Sequence, residues 1–215
     1  MIAPEGKIIL IPASVLLLVL GFLSYKTGNI WAKSIFTIDF LFVIFSLYFF
    51  RDPERVMPED ESKFVSPADG KVVQIIDVND PEVGQAKQIS IFLSVFNVHK
   101  QIVPMGGKIL HSKYNKGKFL AAWDHKASMD NEQTEVLFET ESGLKYKVKQ
   151  IAGLIARRIL CYMDEGESYN RGDRLGFIRF GSRVDIIVPY NFKIDVKVGD
   201  IVENAKTILG SAGWK

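Results

Sequence analysis

The run LGFIRFGSRVDIIVP (Leu175–Pro189) decides how the C-terminal half of the chain is read. Its flanks, LGFI and IIVP, are apolar and β-branched enough to pair in a sheet. Between them RFGSRVD (Arg179–Asp185) places Gly181-Ser182. Glycine weakens a strand and a serine beside it packs poorly, so the pair needs a reason. Local chemistry offers a β-bulge or a close approach of two backbones. The sharper reading is that the Gly181-Ser182 peptide bond is itself the reactive group.

The texture upstream agrees with a sheet. From Lys71 onward come KVVQIIDV, QISIFLSV, GGKILHSKY, TEVLFET, LKYKVKQIAG, IRFG and VDIIVP, most of them separated by Gly, Pro, Asn or Asp clusters. Only AGLIARRILCYM (152–163) reads as a possible helix. Many short strands with turn signals predict a mainly β fold, a compact sandwich or barrel-like domain. SPADGKVVQI (66–75) and VKVGDIVENAKTILG (196–210) look like a matched pair of glycine turns. The second resembles the turn of lipoyl and biotinyl carrier domains, which implies lipoyl- or biotinyl-like halves. A carrier needs an exposed lysine at a hairpin tip, and none is evident, so the likeness concerns fold rather than function.

The N-terminal fifty residues differ. IILIPASVLLLVLGFLSY (Ile8–Tyr25) has no charge, and SIFTIDFLFVIFSLYFF (Ser34–Phe50) has only Asp39. A spanning helix takes roughly 20 apolar residues, with about 17 as the lower limit, so both runs are at the short end. No small-residue cleavage site precedes KTGN and a second run follows at once, which argues against a secretory signal. The pair predicts a membrane helical hairpin over 1–50, joined by KTGNIWAK, with Trp31 near the interface. The alternative is two helices lying on the bilayer. Lys7, Arg51 and Arg55 flank the hairpin, against Lys26 and Lys33 in its loop, which favours both ends in the cytoplasm. Asp39 is given no role, since near a helix end it reaches water. The proline-rich, charged FFRDPERVMPEDESKF then opens a β domain over 51–215.

Composition excludes some classes. A formal charge of +2 over 215 residues, with no basic stretch interleaved with aromatics, gives no case for nucleic acid. Cys161 is the only cysteine, so no internal disulfide forms, and in its apolar run it reads as an inert core thiol. The three histidines, His99, His111 and His125, have no metal-ligand spacing, so no metal is expected. His99 stands where a strand-like run gives way to a turn, a common place for site residues to emerge. Asp69 in ADG is locally a turn residue. Asn131-Glu132 and Arg157-Arg158 are ambiguous, and the arginines could bind an anion or face solvent.

RFGSRVD after RGDRLGFI, with PADGKV, FNVHKQIVP, NKGKFLAAWDHKASMDNE and IAGLIARRI in this order, resembles the phosphatidylserine decarboxylase family. The likeness runs from FFRDPER to the C-terminus and is to the short, two-part-chain proenzyme form. It implies a zymogen that cuts itself between Gly181 and Ser182 into a long N-terminal and a short C-terminal subunit. Ser182 would become a covalent pyruvoyl cofactor, forming a Schiff base with phosphatidylserine and yielding phosphatidylethanolamine for phospholipid biosynthesis. His99 oriented by Asp69 would be the base for Ser182, and His99 the later proton donor. Many members carry a second histidine where this chain has Ile102, so one histidine serves cleavage, decarboxylation or both. Arg157 and Arg158 are candidates for the headgroup phosphate. The partners implied are the phospholipid, the cell membrane with the catalytic domain on its cytoplasmic side, and the two cleaved subunits, alone or as a homodimer of pairs. Two other readings stand beside this one: the same chemistry on an archaeal ether lipid, and a non-catalytic membrane-anchored lipoyl-like module.

Overall fold

The computed structural model describes residues 1–118, 131–153, 158–179 and 181–212. The chain forms two compact units, Met1–Glu54 and Arg55–Lys215. In the first, a short 3-10 turn (Pro4–Gly6) leads into helix α1 (Lys7–Thr27), and α2 (Ile30–Phe49) folds back beside it. Both are long and apolar enough to cross a membrane. The link between them is shorter than the expected KTGNIWAK, because Asn29 Oδ1 accepts the Trp31 N–H at 2.8 Å and starts α2 at once. Lys26 and Lys33 therefore sit on the helices themselves. Asp39 is not near a helix end: it lies mid-α2, only 9% exposed, on the face shared with Val43 and Ser46.

The second unit is built of short strands: β1 (Lys63–Val65), β2 (Gly70–Asp80), β3 (Gly84–Leu93), β4 (Lys100–Ile102), β5 (Gly107–Asn115), β6 (Gln133–Glu139) and β7 (Lys145–Ala152). After these come β8 (Ile159–Cys161), β9 (Ser168–Tyr169), β10 (Arg174–Ile178), β11 (Ser182–Pro189), β12 (Lys193–Ile194), β13 (Ile201–Val202) and β14 (Ile208–Ser211). A curled eight-stranded sheet has the order β13-β2-β3-β11-β7-β6-β5-β9, and two three-stranded sheets are β1-β14-β12 and β4-β10-β8. The fold is mainly β with an apolar helical pair before it, as the alternation and turn signals predict. The two glycine-turn segments do meet: Val202 of β13 stands opposite Gly70 of β2.

One face of the large sheet supplies the core. Ile89, Ile91 and Leu93 of β3, Val184, Ile186 and Val188 of β11, and Val148 of β7 alternate inward as a period of two requires. Phe64, Phe138 and Tyr146 close it off, with Tyr146 stacked on Phe138 at 4.7 Å and edge-on to Phe64 at 5.0 Å. Such aromatic pairs add about 0.5–1.5 kcal/mol each beyond burial.

Two local expectations change. The possible helix over 152–163 is not one helix, because Ala152 ends β7 and Ile159–Cys161 is a strand paired with β10. Beta-compatible Ile, Leu and Cys find open partners there, which outweighs weak helical periodicity. Nor does IRFG continue a strand into VDIIVP: β10 stops at Ile178 and β11 starts at Ser182, in different sheets.

Candidate active site

Gly181 is therefore a corner between sheets rather than a flaw inside one. Its φ is +75°, in the left-handed region that L side chains avoid. A Cβ built on it would meet nothing within 4 Å among the described residues beyond its chain neighbours, so backbone conformation is what asks for glycine there. Close approach occurs instead at Gly176 in β10, where a Cβ would collide with the Leu160 carbonyl and the Gln150 side chain.

Beyond the corner, Ser182 is the first residue of the strand between β3 and β7, opposite Leu93 on one side and Ala152 on the other. It is fully buried, and its Oγ has no hydrogen-bond partner among the described residues. A buried hydroxyl left in that state costs about 1–3 kcal/mol, which marks it for a purpose other than stability. Asn131, also buried, donates from Nδ2 to the Ala152 carbonyl at 2.7 Å and steadies the residue opposite Ser182.

His99 reaches this corner from the residue before β4. It is fully buried, and its Nε2 accepts the Gly181 N–H at 3.2 Å. Nδ1 lies 3.0 Å from the Asn97 carbonyl, which can only accept. Nδ1 must then carry the proton and Nε2 the lone pair, an assignment made from the hydrogen-bond partners. Asn97 is itself fixed, since its Oδ1 accepts both Ser94 N–H (2.9 Å) and Ser94 Oγ–H (2.8 Å). The result is a neutral imidazole with a basic nitrogen one residue away from the Ser182 hydroxyl. Asn97 and Ser94 were not singled out from sequence, where SVFN is an ordinary turn signal.

Asp69 is not what orients His99. Its carboxylate accepts both ends of the Arg55 guanidinium, one oxygen from Nη1 and the other from Nη2 at 2.8 Å, and also the Asn204 N–H at 2.9 Å. The physical reason is twofold. A charge-assisted bidentate pair is stronger than a bond to a neutral imidazole. The segment that holds Asp69 is bonded to β4 through Ile102, whose N–H donates to the Pro67 carbonyl at 3.0 Å and whose side chain is apolar. Asp69 still connects to the histidine's strand, because Asn204 Nδ2 donates to the Lys100 carbonyl at 2.9 Å.

Arg158 is exposed, and its carbonyl accepts the Arg179 N–H at 3.2 Å, which puts it beside the chain that enters the corner. Arg157, His125 and Phe180 lie outside the described residues. Behind Ser182, on the opposite face of β11, Arg183 and Asp185 form an ion pair at 2.6 Å, 1% and 0% exposed in their side chains. Ser90 and Gln74 accept from Arg183 Nη2 at 2.6 and 2.9 Å. Only the i, i+2 charges within an apolar strand hinted at this pair.

A second polar cluster lies elsewhere on the sheet. Ligand atoms of Glu82, His111 and Glu135 come within 4.8 Å of one another, a grouping that the spacing of the histidines did not reveal. Lys147 Nζ stands among them, 2.8 Å from Asp80, 2.7 Å from Glu82 and 3.4 Å from Glu135, so an ammonium already supplies the positive charge. Burial pulls Lys147 down, but the hydrogen bonds it donates to Asp80 and Glu82 outweigh it and its pKa is raised. Burial pushes the Cys161 thiol up, in keeping with an inert thiol.

With this geometry in place, comparison with known proteins is decisive. The family model for phosphatidylserine decarboxylase matches residues 42–210, well over half of the chain. The chain belongs to the phosphatidylserine decarboxylase family. That membership marks it as a decarboxylase. Phosphatidylserine decarboxylase proenzymes are among its relatives: one from Geobacter sp. (strain M21) is 47% identical over 175 residues, 81% of this chain and 80% of that protein. Another, from Geobacter sulfurreducens, is 43% identical over 211 residues, covering 97% of this chain and 95% of the relative. A third, from Nitratidesulfovibrio vulgaris, is 44% identical over 210 residues, 97% and 93% of the two chains.

Proposed function

We propose that the chain is a membrane-bound proenzyme that cuts itself at Gly181-Ser182 and then decarboxylates phosphatidylserine to phosphatidylethanolamine. The observation that carries this reading is the corner itself. A buried Ser182 hydroxyl, without a partner among the described residues, follows a left-handed Gly181 whose N–H lies on the lone pair of His99 Nε2.

In the first step His99 Nε2 takes the Ser182 Oγ proton, and Oγ attacks the Gly181 carbonyl carbon. The C–N bond breaks, an ester forms, and the Ser182 nitrogen is freed as an amine. Loss of the Ser182 Cα proton and breakage of its Cβ–Oγ bond release Gly181 as a carboxylate and leave dehydroalanine. Water then replaces the nitrogen, ammonia departs, and a pyruvoyl group heads the chain that runs from position 182. The residues fit this group: Ser182 is enclosed, its hydroxyl is uncommitted, and a Cβ-free neighbour carries the carbonyl. When formed, the group supplies an electron sink for the pair left by departing CO₂. His99 holds the proton at Nε2 that the substrate carbon needs afterwards. Arg158, exposed beside the corner, receives the headgroup phosphate. The apolar helix pair keeps the domain at the cytoplasmic face of the membrane, where the lipid is.

Intact mass and a denaturing gel of the purified full chain test this. Two pieces should appear, the longer ending at Gly181 and the shorter lacking a free amine. Ser182→Ala should give one piece and no CO₂ release. A single uncut chain with unmodified Ser182 would overturn the proposal.

A further inference from the structure

Arg55 comes from the proline-rich stretch RDPERVMP, which in sequence reads as the break that opens the β domain. Its side chain is nevertheless only 9% exposed. Besides gripping both oxygens of Asp69, its Nη1 donates to the Asn204 carbonyl at 3.0 Å and to Asn204 Oδ1 at 2.7 Å. One planar fork thus holds two segments that are distant in sequence. Asn204 is committed at every polar group that these bonds name. Its N–H goes to Asp69, its two oxygens take Arg55, and its Nδ2 goes to the Lys100 carbonyl. Lys100 follows His99 directly in the chain, and Gln101 Nε2 donates back to the His99 carbonyl at 2.6 Å. A continuous set of hydrogen bonds therefore runs from Arg55 through Asn204 to the backbone next to the imidazole.

Resting on the self-cleavage proposed above, we infer that Arg55 is a positioning residue for that reaction. It locks Asp69 and Asn204 together and, through Asn204, sets the strand that aims His99 at the Gly181 corner. Asp69 then acts at one remove, as the anchor of Arg55 rather than as a partner of the imidazole. Asn204 would belong to the short piece and Asp69 to the long one, so the same guanidinium also joins the two products.

The test follows splitting of freshly made full-length chain over time by denaturing gel. Circular dichroism checks each variant for native structure. Arg55→Ala should split about tenfold slower or more, since small misplacement of a catalytic group has effects of that size. Millimolar guanidinium should restore much of the rate, and equal sodium chloride should not. Arg55→Lys keeps the charge without the fork and should remain slow. Asn204→Ala, which spares the Arg55–Asp69 pair, should also slow splitting, with no response to guanidinium. If Arg55→Ala fails to fold, Asn204→Ala decides the matter. Wild-type rates in Asn204→Ala, or in a natively folded Arg55→Ala, would overturn the inference. A wild-type chain that never splits would instead defeat the self-cleavage reading on which the inference stands.

Discussion

Replacing Gly181 offers the most direct probe of the corner. Among the described residues beyond its chain neighbours a Cβ there has no atom within 4 Å to strike, so Gly181→Ala adds no collision with them. What it adds is the penalty for an L residue at φ +75°, about 1–2 kcal/mol. If the corner holds its shape, that strain lowers stability, and a unit of this size loses roughly 2–4 °C of Tm per kcal/mol. If the corner relaxes, the Gly181 carbonyl turns away from Ser182 Oγ, and the same energy appears in the barrier, where about 1.4 kcal/mol is tenfold in rate. The expected outcome is splitting slowed roughly five- to thirtyfold, with a Tm lowered by no more than a few degrees. The series Gly, Asn, Ala, Val separates conformation from bulk. Asn tolerates the left-handed region better than Ala, so the expected order of rates is Gly, then Asn, then Ala, then Val. A gel time course of each full-length variant gives the ranking. Asn equal to or slower than Ala, or Ala as fast as Gly, would refute the conformational account.

Arg183→Met removes the guanidinium that pairs with the fully buried Asp185 carboxylate and should cost about 3–5 kcal/mol in denaturant unfolding, while Arg183→Met with Asp185→Leu should recover most of that loss. The Lys147 cluster predicts a pH dependence of stability at both ends. Burial raises Asp80 and Glu82, but hydrogen bonds from Lys147 outweigh it and both pKa values are lowered, so their contribution is present above the ordinary carboxylate range and fades as pH falls through the lowered values. Lys147 is raised, so its share is complete below the ordinary lysine range and is lost as pH rises through the raised value. Lys147→Met should flatten both limbs of a plot of unfolding free energy against pH, and unchanged limbs would show that the cluster does not govern them.

Much of the fold is legible in sequence because it follows from periodicity. Alternation in QISIFLSV and VDIIVP matches β3 and β11, and two uncharged runs match α1 and α2. What periodicity does not carry is the sheet to which a strand belongs. LGFI and VDIIVP look continuous, yet the chain changes sheets between them, and the left-handed φ at Gly181 is a local trace of that change. Polar partners are harder still. Asp69 finds Arg55 and Asn204 because folding brings positions 14 and 135 residues away to one point, and no spacing rule reaches that far. The same holds for Lys147, set among carboxylates from Asp80, Glu82 and Glu135, and for His111 beside Glu82. Asn97 escaped notice for another reason: its contribution to His99 is a backbone carbonyl, which every residue possesses.

The place of β11 bears on what a cut before Ser182 leaves behind. The segment from 182 onward holds a middle position in the eight-stranded sheet through β11, the far edge of that sheet through β13, and two of the three strands of β1-β14-β12. Neither the eight-stranded sheet nor β1-β14-β12 is complete in one piece without the other, and only β4-β10-β8 belongs wholly to the long piece. Severing the chain there would divide a covalent molecule without creating a separable one, and nothing short of unfolding could exchange a spent short piece for a fresh one. If Ser182 becomes the reactive group as proposed, that group cannot be replaced, and its working life is that of the polypeptide itself.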